Sequence, residues 1–280
     1  MTTEVASGVV AITLRPDEDD SPHVYWVRGE TGGALIDAGH DEDEVSQRVV
    51  EAVNAIRGDA PTPAILLITD RFGEHSGGAA ALHAAFPGIE VHAGVEDVDA
   101  ITEAIGHVVD APLMGGETFD LDGGKTIHAI ATPGHVGGSM CYILQPDGVL
   151  FSGDCVLSRG TTAVHLDQGG DMAAYVNSLQ NLAEQNANIL LSFHGPPVTD
   201  PAAKLAELIG HRNSRDESIL ECLRDGVTEV DAMRDRLYGA ANLEEWRWNA
   251  AREQIIAHLI KLTAEGKATE IDAGNSYRLA

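Results

Sequence analysis

Four short stretches of this chain carry side chains that bind metals. They are Asp70-Arg71-Phe72-Gly73-Glu74-His75, His135 in Thr132-Pro133-Gly134-His135, Asp154 in Ser152-Gly153-Asp154, and His194 in Ser192-Phe193-His194-Gly195. Each follows an apolar run and contains a glycine, the pattern of a strand that ends in a tight loop. Neutral imidazole and carboxylate are the donors that divalent cations take, and loops anchored at strand ends hold such donors rigidly from several directions. One histidine of this kind would more often be structural; three, with carboxylates in the same loops, point to a metal site. The chemistry implied is metal-assisted attack of water on a polarised bond.

The elements that must position these loops read as layers. Strands are expected at 8–14, 24–27, 33–39, 64–69, 91–93, 126–130, 140–144, 148–151 and 189–192, each a β-branched or aliphatic run bounded by turn residues. Helices are expected at 45–56, 78–85 and 172–184, where apolar residues recur at helical spacing; Val45, Val49, Val53 and Ile56 are one such face. Clustered strands punctuated by helices suggest an α/β fold of sheets covered by helices. After Pro196-Pro197 the pattern turns helical, at 202–223, 229–237 and 243–265, and closes with two short strands around Gly274. Three helices and a hairpin read as a winged-helix module, so the expected domains are 1–198 and 199–280. The cations of the last helix would face DNA or, by the reading favoured here, that helix packs on the first domain or on a second copy, which leaves a homodimer open.

Charge argues against a polyanionic partner. The formal net charge is −26; residues 1–200 hold 7 Lys+Arg against 30 Asp+Glu (−23), and residues 201–280 hold 11 against 14 (−3). Nucleic-acid binding rests on cations that displace counterions from phosphates, so RNA or DNA is disfavoured and a small-molecule substrate is expected. No apolar run approaches the roughly 20 residues that span a bilayer, and the N-terminus lacks the pattern of a signal peptide, so a cytoplasmic location without membrane contact is expected. Cys141, Cys155 and Cys222 are too scattered for a disulfide framework or a thiolate zinc site and are read as packing residues.

Thr69-Asp70-Arg71-Phe72-Gly73-Glu74-His75-Ser76-Gly77-Gly78 resembles the THxHxDHxGG loop of the metallo-β-lactamase superfamily, and the His135, Asp154 and His194 loops follow in that family's order. Leu150 to Leu157, Arg159-Gly160-Thr161-Thr162 and His211-Arg212-Asn213 are similar to the β-lactamase-like protein 2 branch, which carries a winged-helix-like C-terminal domain. The resemblance implies an αββα sandwich with a small, mostly helical second domain. Members of that branch include single-strand-specific endoribonucleases, and related fungal proteins are thioesterases. The loop departs from the family pattern at three positions, with Asp70 and Phe72 in place of the two leading histidines and Glu74 in place of the aspartate.

A phenylalanine donates nothing to a metal and its ring takes up the volume of a ligand. The resemblance therefore implies one divalent ion, Zn²⁺ or, given the carboxylate-rich donors, Mn²⁺ or Fe²⁺, held by Glu74, His75, Asp154 and His194 with His135 close by. Asp70 and Asp154 are the expected catalytic groups, Asp70 as a base toward bound water. Arg71, Phe72 and Tyr175 are the expected substrate contacts; Arg71 would pair with Asp70 or meet a substrate anion, and Tyr175 would line a pocket or pack its helix. Asp37 is expected to hydrogen-bond a ligand from behind. With one ion rather than two, a thioester, ester or lactone is a better substrate than a phosphodiester. The alternatives are a binding protein that has lost hydrolysis, and an endoribonuclease like its relatives.

Overall fold

The N-terminal apolar runs are continuous because both faces of their sheet are covered. In the computed structural model, which describes residues 1–30, 32–106, 108–241 and 244–280, a seven-stranded sheet is laid down in sequence order. Its strands are β1 (Thr2–Ala6), β2 (Val9–Thr13), β3 (His23–Arg28), β4 (Gly33–Ile36), β5 (Ile65–Leu67), β6 (Glu90–Gly94) and β7 (Ala111–Leu113). Pairing is antiparallel as far as β4 and parallel from there. A second sheet has the order β12-β11-β10-β9-β8, from β8 (Thr118–Asp120), β9 (Thr126–Ala131), β10 (Met140–Gln145), β11 (Val149–Gly153) and β12 (Ile189–Ser192).

Successive residues of a strand point to opposite faces, so one strand serves two cores. Val9 and Ala11 pack between the sheets with Tyr142, Leu144 and Phe151, while Val10 and Ile12 face the helices. Those helices are α1 (Asp43–Arg57), α3 (Ala79–Ala85) and α4 (Val98–Ile105); a single turn, α2 (Gly73–Ser76), precedes α3. The outer face of the second sheet is covered by α5 (Met172–Glu184) and the first half of α6 (Pro201–Arg224). The layers are α, β, β, α, the sandwich expected. Strands β1, β7 and β8, short or polar at their exposed faces, had no clear sequence signal, whereas α4, with Val98, Ile101 and Ile105 at helical spacing, was not among the helices expected. Strand β4 ends three residues sooner than the apolar run, because Asp37 takes a left-handed conformation with φ 63°.

The C-terminal part comprises α6, α7 (Val230–Tyr238), α8 (Glu245–Ala264) and the hairpin β13 (Ala268–Asp272) and β14 (Ser276–Leu279). It is a winged-helix arrangement with its own core of Ile219, Leu223, Val230, Met233, Ile255, Leu259 and Tyr277. Helix α6 serves two cores: Leu205 and Leu208 belong to the sandwich, Ile219 and Leu223 to the winged helix. Helix α8 packs on the first domain through Ala257 and through Gln254, whose side chain meets both the amide and the carbonyl of Val164 at 3.1 Å. The start of this helix expected at Leu243, and the surface histidine expected at His107, lie outside the described residues. All three cysteines are free and buried. Among the described residues, no helix is long and apolar enough to cross a membrane.

Candidate metal centre

The ligand loops converge because they leave the same end of the two sheets. Met140 donates its amide to the Thr69 carbonyl at 2.7 Å, Tyr142 its hydroxyl to the Ile68 carbonyl at 2.7 Å, and Tyr25 its hydroxyl to the Ser192 carbonyl at 2.5 Å. These bonds cross between the sheets at the point where the loops begin, which locks one loop set against the other. Gly153 is required there: with φ +49°, it lies so close to Thr69 that a Cβ would stand 2.4 Å from the Thr69 hydroxyl. Gly134, at φ +143°, admits α5 in the same way, since its Cβ would lie 2.3 Å from the Tyr175 Cα. Both glycines thus let a neighbouring element press against a ligand loop.

At the centre is His75, fully buried on α2. Its Nδ1 lies 3.0 Å from Asp37 Oδ2, and Asp37 also accepts from the Thr69 amide at 2.8 Å and the Thr69 hydroxyl at 3.0 Å. A proton on Nδ1 is therefore given to Asp37, and the Nε2 lone pair faces Asp70 Oδ2 at 3.5 Å and Asp154 Oδ2 at 3.8 Å. Donor atoms of Glu74, His75 and Asp154 all lie within 4.8 Å of one another. His194 extends the group, its Nε2 being 3.3 Å from Glu74 Oε2 while its Nδ1 donates to the Asp20 carbonyl at 3.1 Å. His135 is oriented from behind, with Nδ1 donating to the Ala163 carbonyl at 2.7 Å and Thr162 Oγ1 at 3.1 Å.

This donor set fits a cation. His75 Nε2, His135 Nε2 and Asp154 Oδ1 are buried and have no hydrogen-bond partner in the protein, an unfavourable arrangement unless a positive charge joins them. The titration behaviour of the protein groups shows the same imbalance. Burial pushes the Asp70 carboxyl up to about 8, and Asp154 and Asp37 push it the same way against His75. Burial opposes a charge on His75, yet Asp70, Asp37 and Asp154 together raise it well above the usual range. Glu74 is held low by its hydrogen bond to His194, and burial holds His135 below the usual range. The carboxylates thus draw positive charge to the centre.

Phe72 sits where no donor is present. Its ring is 5.5 Å from that of His135 and 5.2 Å from that of His165, which in turn lies 5.1 Å from His135. Phe72 thus packs against two imidazoles beside the ligand cluster. Arg71 does not pair with Asp70. Its guanidinium is held by Asp97, with Nη2 at 2.6 Å and Nε at 2.7 Å from Oδ1, and by the Glu96 carbonyl at 2.6 Å. The cause is that Asp97 is fully buried and needs a cation, which Arg71 supplies from the ligand loop. Asp97, which also accepts from the Gly138 amide at 3.1 Å, therefore positions the loop, and no spacing in the sequence marked it. Tyr175 is corrected as a substrate contact: it is fully buried in the core under the second sheet, where its hydroxyl donates to the Cys155 carbonyl at 3.0 Å.

The model of the metallo-beta-lactamase superfamily matches residues 17–194, well over half of the chain. The chain belongs to that superfamily. A beta-lactamase associated winged helix domain matches residues 231–276. An atrochrysone carboxyl ACP thioesterase of Passalora fulva is 29% identical over 250 residues, which is 86% of this chain and 70% of that protein. A protein of the same name from Aspergillus chevalieri is 33% identical over 159 residues, 57% of this chain and 47% of that protein, so this match spans about half of the relative's length. A beta-lactamase domain protein from Burkholderia ambifaria superposes with a TM-score of 0.82 at 20% identity, covering 100% of this chain and 93% of that one, and so shares the fold.

Proposed function

We propose that this chain is a metal-dependent hydrolase of a small thioester, ester or lactone, working with one divalent ion. The observation that carries this reading is the convergence of Glu74, His75 and Asp154 within 4.8 Å, next to a Phe72 ring that offers no ligand. His194, beside Glu74, completes a four-donor set, and the mixture of carboxylate and imidazole suits Zn²⁺, Mn²⁺ or Fe²⁺. When bound, such an ion supplies Lewis acidity toward a carbonyl oxygen and toward water.

The remaining work falls to the chain. Asp37 fixes the tautomer of His75, so that Nε2 is the free donor. Asp70, buried and 3.5 Å from His75, would take up the proton that water loses on attack in the ionised form that a cation at the centre would favour, since burial otherwise holds its carboxyl protonated. The Phe72 ring, packed on His135 and His165, gives an apolar contact for the acyl part of a substrate. The names of the thioesterase relatives favour a thioester among the three substrate classes.

The test is elemental analysis of protein purified without chelator, combined with a panel of thioesters, esters and lactones assayed with Zn²⁺, Mn²⁺ or Fe²⁺ supplied. About one equivalent of metal per chain and turnover abolished by chelator are expected. No turnover across the panel with metal bound would mean a binding protein instead; cleavage of single-stranded RNA lost in His194→Ala would mean a nuclease.

A further inference from the structure

In a chain with 44 acidic and 18 basic residues, a cavity lined by several cations and by no described carboxylate stands out. Within the C-terminal part, Arg224, Arg234, Arg236 and Arg252 each meet a carboxylate within 3.6 Å. Among the described residues, Arg212, Arg215 and Arg247, like Arg278 in the hairpin, have no such partner. Arg212, Arg215 and Arg247 line one cavity of about 290 Å³ between the sandwich and the winged helix, together with His211, His258 and Tyr238, and no carboxylate is in its lining. Arg215 is stacked on the Tyr238 ring at 4.5 Å and Arg212 on the Tyr175 ring at 5.1 Å, so both guanidiniums are held in place by aromatic faces.

Two polar atoms of this lining are buried and without a partner, and one of them, Arg212 Nε, is a donor. Arg212 is 3% exposed; its Nη2 donates to the Thr162 carbonyl at 2.6 Å, and its Nε has no partner. His258 is 1% exposed, with Nδ1 2.7 Å from Asp216 Oδ1 and Nε2 without a partner. Two carboxylates of helix α6 close by in the chain are already engaged, Asp216 by His258 and Lys261 and Glu207 by Lys204. Burial, with Arg212 and Arg215 adding to it, holds both His211 and His258 below the usual histidine range, Asp216 opposing the shift at His258.

We propose that this interdomain cavity binds a phosphate group of a small molecule through Arg212, Arg215 and Arg247. Planar guanidiniums that converge without counter-ions match the several acceptor oxygens of a phosphate, which takes forked, charge-assisted hydrogen bonds from them. A polymer is disfavoured, because the cations lie in a crevice rather than along a face and the rest of the chain repels polyanions. The cavity adjoins the metal centre through one segment: Arg212 holds the Thr162 carbonyl, while the Ala163 carbonyl holds His135. A phosphate bound there braces the backbone that orients a residue of the centre. The proposal stands whether or not the hydrolase reading does.

The test is calorimetric titration of orthophosphate into the full chain, treated with chelator so that phosphate cannot bind a metal, at constant ionic strength. Saturable binding is expected, about tenfold weaker in Arg215→Gln and in Arg247→Gln and unaltered in Arg224→Gln, since each lost charge-assisted contact is worth roughly a factor of ten or more. Displacement of orthophosphate by 4′-phosphopantetheine and not by pantetheine would place the phosphate on a thioester-carrying arm; displacement by neither would leave a free phosphate as the occupant. Absence of saturable binding, equal binding in the cavity variants, or tighter binding of a single-stranded RNA oligonucleotide than of orthophosphate would overturn the proposal.

Discussion

The two sides of the Thr162–Ala163 segment carry opposite, uncompensated charge. On one side Asp37, Asp70, Glu74 and Asp154 outnumber their counter-charges, having only His75 and His194 among them; on the other Arg212, Arg215 and Arg247 lack carboxylates. Elsewhere the fold neutralises its buried charges internally, as Asp97 with Arg71 and Asp216 with His258 and Lys261 show. A buried charge left without a partner is costly, so the buried carboxylates and the buried Arg212 mark places completed from outside the chain, while Arg215, half-buried, and Arg247, exposed, add charge beside Arg212. The lesson of the contrast is that paired buried charges position elements, whereas unpaired ones select ligands of opposite sign.

The sharpest way to break the acidic side is to remove one of its central donors. His75→Ala or Asp154→Ala should lower hydrolysis of the best panel substrate roughly a thousandfold, given several kcal/mol of Lewis-acid stabilisation and about 1.4 kcal/mol per factor of ten. Bound metal, measured on the same samples, should fall with it; full metal content in both variants would remove these residues from the ligand set. A smaller loss is expected behind the ligands. Asp37→Asn, which weakens the hold on His75 Nδ1, should reduce metal affinity about 10–100-fold, measured by competition with a chromophoric chelator.

The Phe72 position can be tested by restoring what the family motif has and this chain lacks. In Phe72→His the bound metal should rise from about one to about two equivalents, because the new imidazole would stand beside His135. A stoichiometry that stays at one would show that the ring's volume is not what limits the centre.

The smallest expected effect is on stability, on the cationic side. Burial, with help from Arg212 and Arg215 and against Asp216, lowers the pKa of His258 in the folded protein. The unfolded chain then binds more protons in the window below about 6.5, so stability from this group is complete above that pH and is lost as pH falls through the folded value. Thermal unfolding at pH 7.5 and 5.5 should show a drop in the wild type that is smaller in His258→Gln, the difference not exceeding about 1.4 kcal/mol per pH unit.

Much of this protein is local information. The apolar runs of the strands, the helical spacing of Val45 to Ile56, and the order of the four ligand loops each depend on residues close together in the chain, and the superfamily motif is readable in ten consecutive residues even where three positions depart from it. What stayed hidden depends on distance in three dimensions. Arg71 meets Asp97, and His135 is oriented by Ala163, only after loops from different strands are brought to one end of the sandwich. Tyr175 proved to be core because its helix lies over the second sheet, a placement to which the helix's own periodicity is indifferent. Arg212, Arg215 and Arg247 form a cationic cavity only because α6 and α8 pack together against the first domain, and nothing in the near-neutral C-terminal composition sets them apart. Hydrophobic pattern is a property of a segment and therefore survives in the sequence. The pairing of charges is a property of the fold, since an ion pair is decided by separation in space and by burial.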